Sequence, residues 1–306
     1  MSELELRTLT GRVAGAPISW GVCEAPGWGH ELAPDVVLAQ MSALGLSATE
    51  LGPTGYLGSD AAAVRTSLRA HGLELVGGFL PVILHAEPET DLAGAAAAIE
   101  VLAAAGAEVV VLAADAGPTG YDRRVELDAA AWKNLLHNLE RVRALAARHD
   151  LSTCLHPHVG TAIESRAAVH RLLEESDVPL CLDTGHLAIG GTDPLSLVKE
   201  AAGRVGHVHL KDVRMAVAKE VADGTASFVD GVRKGLFAPL GGGDLDIAGV
   251  VIGLEQAGFS GWYVLEQDTA LPAPPAPGAG PAEDVRACLE FLRHTVVPAL
   301  GEGAWS

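Results

Sequence analysis

The chain has 306 residues, 49% of them hydrophobic, with a mean hydropathy of +0.26; it can bury a large core, and α/β barrels reach this length as one domain. No apolar run is long enough to span a membrane, and the formal net charge of −18 opposes a phosphate backbone, which needs Lys and Arg to displace counterions. Four scattered cysteines without a CxxC pair, and an opening MSELELRTLTGRVAG with no basic-then-apolar leader, predict reduced thiols and a cytoplasmic protein.

Along the chain, apolar strand-like runs alternate with helical patterns. The runs lie at 12–20, 46–52, 73–80, 107–113, 151–156, 178–183, 206–210 and 262–266. Helical patterns lie between them at 34–44, 59–71, 89–105, 126–149, 165–175, 194–203 and 246–257, with a last one at 281–299. Eight such repeats predict parallel βαβ units closed into a single (β/α)8 TIM barrel over 1–306. Pro34, Asp60 and Pro194 stand at expected helix starts, and Gly45, Gly72 and Gly106 just past expected ends. The Ala-rich stretch 91–108 reads as a helix packing through small side chains, and PAPPAPGAGP (272–281) as a stiff loop. The longest irregular insertion, at about 212–245, includes a helix-like stretch ahead of SFVDGVRKGLFAPLGGGDLD and is expected to act as a lid. Its GGG (241–243) reads as a flexible turn, because no GK[ST] follows and no GxGxxG opens a helix.

Barrel enzymes place their chemistry at the C-terminal ends of the strands, and several runs here end in metal-ligand residue types. Asp183 and His186 close one, His207 and His209 another, Glu266 a third. Any one of these, taken singly, is more often a cap or a satisfied polar side chain. Together they predict a cation site of Asp183, His209 and Glu266, whose mixed oxygen and nitrogen donors suit Mn, Co, Mg or Zn. His156 and His158 are two apart and can both enter the barrel mouth. His207 is expected to face away from His209 and to be structural. Lys211 is a candidate for substrate or catalytic work, with a solvated ion pair to Asp212 as its plainer role. Trp20, Glu24, Trp28 and Glu50 are expected at the same end, where aromatic faces beside carboxylates suit a polyol ring.

The segments ISWGVCEAPGWG, TELGPTGYLG, HPHVGT, CLDTGHLAIGG, HVHLKDVR, SFVDGVRKGLFAPLGGGDLD and VLEQD are similar to those of a known family. Over nearly its whole length the chain resembles the inosose dehydratase (2-keto-myo-inositol dehydratase) branch of the xylose-isomerase-like TIM barrel superfamily. The WGVCE…GWG opening and SFVDGVRKG belong to that branch; the later strand-end motifs are superfamily-wide. The resemblance implies a divalent metal, often Mn or Co, at Asp183, His209 and Glu266. Superfamily epimerases carry Glu where this chain has His156, so the fourth ligand is open among His156, His158 and Glu164. Glu164 is otherwise counted with the substrate-binding residues.

The implied reaction is loss of water from scyllo-inosose or a related cyclic polyhydroxy ketone through an enolate. Glu266 is the first candidate for the base, and His158, His186 and Lys211 are candidates for the acid. A metal-dependent sugar or inosose isomerase/epimerase would share the metal and the enolate, and a non-catalytic sugar-binding barrel is the reading from another class. The expected partner is a small polyol ketone or sugar, with no nucleic acid or membrane; self-association into a homo-oligomer is left open.

Overall fold

A computed structural model describes residues 8–117, 121–122, 125–276 and 278–301. Residues 1–7 and 302–306, the ends of the predicted domain and, for the first, part of the stretch searched for a leader, lie outside it. So does Pro277 of the predicted loop 272–281.

The strands are β1 (Val13–Gly15), β2 (Ala48–Glu50), β3 (Glu74–Val82), β4 (Val109–Ala114), β5 (Ser152–Leu155), β6 (Leu180–Asp183), β7 (Val205–Leu210), β8 (Asp212–Val213), β9 (Phe237–Ala238) and β10 (Tyr263–Leu265). All but β8 and β9 close a parallel barrel in the order β1-β10-β7-β6-β5-β4-β3-β2. The helices are α1 (Pro34–Ala43), α2 (Ala61–Ala70), α3 (Ala93–Ala105), α4 (Ala129–Ala147), α5 (Arg166–Glu175), α6 (Thr184–Ile189), α7 (Pro194–Ala201), α8 (Met215–Ala222), α9 (Phe228–Arg233), α10 (Ile247–Gln256), α11 (Pro281–Phe291) and α12 (Val297–Leu300). Among the described residues no helix is long and apolar enough to cross a membrane.

Local chemistry explains the boundaries. The Asp60, Asp128, Ser165 and Asp246 side chains accept from backbone N–H groups in the first turns of α2, α4, α5 and α10, satisfying donors that have no partner inside a helix. Gly106 ends α3 at φ 98°, a conformation that costs a residue with a Cβ. Strand β4, VVVLAA, is buried along its full length, as expected of a parallel strand covered on both faces.

Each predicted strand run overlaps one barrel strand, with β3, β4 and β7 reaching one or two residues past it, so the fold is the predicted one. Four details differ. The run 12–20 stops at Gly15 because Pro17, without an N–H, opens a 3-10 turn to Trp20. The predicted 281–299 helix is broken by a π-helical stretch at Leu292–Val296. The short α6 was not foreseen; Asp183, the last residue of β6, caps it directly.

The fourth is the insertion, which is ordered: β8 and β9 pair antiparallel, with α8 and α9 between them. Its base is held by the buried Asp212, whose Oδ1 accepts from Val213 N (2.9 Å) and Leu245 N (3.1 Å) while Oδ2 accepts from Gly241 N (2.9 Å) and Gly243 N (3.0 Å). A Cβ on Gly243 would stand 2.2 Å from Asp212 Oδ1, so the glycine run serves close approach to a carboxylate rather than flexibility. Asp212 is therefore no solvated partner of Lys211.

Candidate active site

Strand periodicity builds the site as a ladder. Residues two apart on β7 and its extension face the same way, so His207, His209 and Lys211 rise in order through the barrel interior. This corrects the expectation that His207 turns away: both imidazoles place Nε2 on one oxygen, Glu50 Oε1, at 2.7 and 2.9 Å. Glu50, the last residue of β2, is thereby engaged in the barrel interior as well as bordering the cavity above. Glu266 and Asp268 follow β10 with the same spacing and pair across to the ladder, Glu266 Oε2 lying 2.8 Å from His209 Nδ1 and Asp268 Oδ1 2.7 Å from Lys211 Nζ.

At the middle rung the predicted ligands meet. Asp183 Oδ1 accepts from His186 N at 2.8 Å, while Oδ2 faces His156 Nε2 at 3.3 Å, His209 Nδ1 at 3.5 Å and Lys211 Nζ at 3.3 Å. The ligand atoms of Asp183, His209 and Glu266 lie within 4.8 Å of one another, and so do those of His156, Asp183 and His186. His156 Nδ1, His209 Nδ1 and Glu266 Oε2 are buried without an aligned hydrogen bond. Glu266 Oε2 lies 2.8 Å from His209 Nδ1 and 2.9 Å from Lys211 Nζ, so a carboxylate oxygen, an imidazole nitrogen and an ammonium crowd one position. The residue set fits a divalent cation, with two carboxylates and one or two imidazoles as donors. Glu164 is not among them: its Oε2 accepts from Gly160 N at 2.9 Å, and it lines a separate cavity of 430 Å³ with Tyr121 and Ser227.

Above this cluster opens a cavity of 590 Å³, bordered by Glu24, Trp28, Tyr121, His156, His158, Lys211, Glu266 and Asp268. It continues outward between α2 and α3, where Val64, Ala97, Val101 and Leu102 line it. Trp28 is fixed in the wall by its Nε1, which donates to Thr269 O at 2.7 Å. Trp20, expected beside it, is instead a core residue: it is fully buried and its Nε1 donates to Gln40 Oε1 of α1 at 2.8 Å. His186 lies behind His158, ring centroids 3.7 Å apart, and its Nε2 is 3.0 Å from Lys211 Nζ.

Burial and neighbouring charge set the protonation pattern. Burial alone would raise the Glu50 carboxyl, but the His209 charge and the two imidazole donors hold it well below the usual range. Glu266 likewise resists burial, the charges of His209 and Lys211 drawing it to about 2. Burial, with His156 and the Lys211 ammonium beside it, lowers His158 to about 3, so this ring is neutral. Burial works against the Lys211 ammonium too, yet Asp183, Asp268 and Glu266 keep its affinity for the proton well above the ordinary value. Asp268 goes the other way, pushed up by burial to about 6 against the pull of Lys211. Asp268 and Tyr121 are site residues the sequence reading did not single out. The first was legible from its two-residue spacing to Glu266; the second sits in a loop after β4 with no periodic signal.

A closed parallel barrel with carboxylates and imidazoles gathered at the C-terminal strand ends, under a cavity, has the layout of a barrel enzyme, and the gathered donors could hold a metal ion. Residues 38–294 match the model of the family described as "Xylose isomerase-like TIM barrel". The chain is 30% identical over 293 residues to an inosose dehydratase of Geobacillus thermodenitrificans, covering 92% of this chain and 95% of that one. It is 31% identical over 299 residues to an inosose dehydratase of Klebsiella pneumoniae subsp. pneumoniae, covering 93% and 97%. The solved "IOLI protein with a binding zinc atom" superposes with a TM-score of 0.65 at 14% identity, over 95% of this chain and all of that one, a likeness of fold. The chain belongs to the xylose isomerase-like TIM barrel family, in its inosose dehydratase branch.

Proposed function

We propose that this chain is a metal-dependent dehydratase that removes water from scyllo-inosose or a closely related cyclic polyhydroxy ketone. The observation that carries the reading is the convergence of Asp183 Oδ2, His209 Nδ1 and Glu266 Oε2 beneath the cavity that Glu24, Trp28, His158 and Lys211 border. Relatives named inosose dehydratase, similar over nearly the whole chain, support the substrate. Asp183, His209 and Glu266, with His156 as the fourth donor, would hold the ion. A divalent ion there, Mn or Co in preference to Mg or Zn, supplies Lewis acidity at the ketone oxygen and so acidifies the neighbouring C–H.

The side chains divide the remaining work. Glu266, held as a carboxylate, accepts the α proton. Lys211, an ammonium on the cavity wall, delivers a proton to the departing β-hydroxyl, and His186 and Asp268 fix its Nζ from either side. His158 donates from Nδ1 to Val159 O at 2.7 Å, which leaves Nε2 of the neutral ring to accept from a substrate hydroxyl. Trp28 offers its face to the ring carbons, and Glu24 accepts hydroxyl hydrogens. Helices α8 and α9 close over the filled cavity and keep water from the enolate. In this reading the enzyme works in the cytoplasm.

The test is mass analysis of scyllo-inosose incubated with the Mn- or Co-loaded protein. A product lighter by one water, absorbing in the near ultraviolet, is expected. An isomeric inosose of unchanged mass, with the metal site full, would replace the dehydratase by an isomerase.

A further inference from the structure

We propose that Glu50 is a positioning residue which, through one shared carboxylate oxygen, dictates the face His209 turns to the cation, with His207 as the brace that holds that oxygen in place. The inference rests on the metal-site reading above and adds to it a device on β2, two strands around the barrel from β10, the nearest strand that carries a candidate ligand. Glu50 ends β2, His207 and His209 lie on β7, and all three side chains are buried.

A carboxylate has no hydrogen to give, so contacts of 2.7 and 2.9 Å from Glu50 Oε1 require a hydrogen on Nε2 of both rings. Once an ion takes the place of any hydrogen on Nδ1, this leaves Nδ1 as the nitrogen of His209 with a lone pair to offer. Nδ1 is the atom that lies 3.5 Å from Asp183 Oδ2 and 2.8 Å from Glu266 Oε2. Without Glu50 the ring is free to carry its hydrogen on either nitrogen and to rotate about its side-chain bonds, and only part of that population presents Nδ1 upward. His207 stands edge-on to His209, with ring centroids 5.3 Å apart and planes at 79°, and its own N–H prevents the shared oxygen from following the His209 ring. The arrangement is a carboxylate–imidazole–cation relay, in which the outer carboxylate orients the ring and raises its basicity as a ligand.

Glu50, His207 and His209 also form a close donor group that could itself hold an ion. Two N–H donors already converge on Glu50 Oε1, which argues for a hydrogen-bonded brace.

The test compares Mn and Zn affinities of the parent protein and Glu50→Gln by competition with a chelating dye. Gln offers a neutral acceptor and adds an N–H₂ that must find a partner, so an affinity about 10- to 100-fold weaker is expected. Long-range proton–nitrogen spectra of the unmutated Zn-loaded protein give a second readout that does not depend on the variant folding. His209 is expected to bind through Nδ1 with its hydrogen on Nε2, and His207 to carry its hydrogen on Nε2. Equal affinity in parent and variant, or a His209 bound through Nε2, overturns the inference while leaving the metal site intact. Two ions per parent chain overturn it in favour of a Glu50 ligand site. A parent protein that binds neither ion overturns the inference together with the metal reading.

Discussion

Asp183 divides its two oxygens between folding and the candidate metal cluster. Oδ1 caps α6 through His186 N, and Oδ2 faces His156, His209 and Lys211. Asp183→Asn keeps an acceptor for the cap but removes the charge; Asp183→Ala removes both. We therefore expect both variants to lose the ion and the activity, and Ala to be less stable than Asn by about 1 kcal/mol, the worth of an N-cap. Metal stoichiometry and urea midpoints check this, and a full complement of ion in either variant would remove Asp183 from the site. A second test at this scale concerns Cys23, which lines the cavity and whose thiol burial pushes up to about 12. The thiolate is the reactive form, so iodoacetamide should label Cys23 slowly near neutrality, with a rate that climbs only above pH 10. A labelling midpoint near the ordinary value of about 8.5 would contradict the burial argument. Much at this scale was legible, because a polar residue ending a buried apolar run has few other reasons to be there. The errors were of facing and depth. His207 shares a face with His209 because a strand repeats every two residues, and Trp20 sits under α1, which no local pattern around residue 20 reveals.

Between β8 and β10 the element scale shows how a long insertion is kept in one place. Asp212 gathers four backbone N–H groups at its base, and Arg214 Nη1 donates across the hairpin to Gly235 O at 2.6 Å. Phe228, Val232, Leu236 and Phe237 pack in one cluster with Trp28, Val159 and Ile189, so the insertion shares apolar contacts with the cavity wall. Any closing motion is thus confined to α8 and α9 while the base stays fixed. Hydrogen exchange should show 241–245 protected with or without substrate, and 215–233 slowed only when substrate and metal are added; exchange in 215–233 indifferent to ligand would remove the lid. Asp212→Asn replaces one accepting oxygen with an N–H₂ group and leaves two buried N–H donors unpaired. The expected loss is about 2–4 kcal/mol, read as a lower urea midpoint with faster cleavage inside the insertion. The sequence showed the length of this segment but not its order. A helix-like stretch was readable at its start, where α8 lies, but the six-residue α9 carries too few repeats for a periodicity, and the Asp212 clamp is defined by tertiary contacts.

For the whole molecule, the barrel was legible because one pattern recurs: a short buried strand, a polar end, a capped helix. Closure was not written locally. It comes from β1 pairing with β10 and from Arg12, whose Nη2 donates to both Glu255 oxygens at 2.8 Å. This joins the first strand to the last quarter of the chain, so ligand residues drawn from β5, β6, β7 and β10 can assemble only when the ring is complete. The consequence is a thermodynamic link between the site and the fold. An ion that binds the closed barrel and has little affinity for the unfolded chain stabilises the former by RT ln(1 + [L]/Kd), about 2.7 kcal/mol at a hundredfold excess over Kd. In a chain of this size that is a rise in Tm of several degrees, reversed by a chelator. Calorimetry of the parent protein with EDTA and then with excess Mn should show the rise, and Asp183→Asn should show none. A parent Tm indifferent to Mn, Co and Zn alike would mean that the carboxylates and imidazoles of the barrel mouth hold one another and no cation, and with that the metal-assisted dehydration would fall.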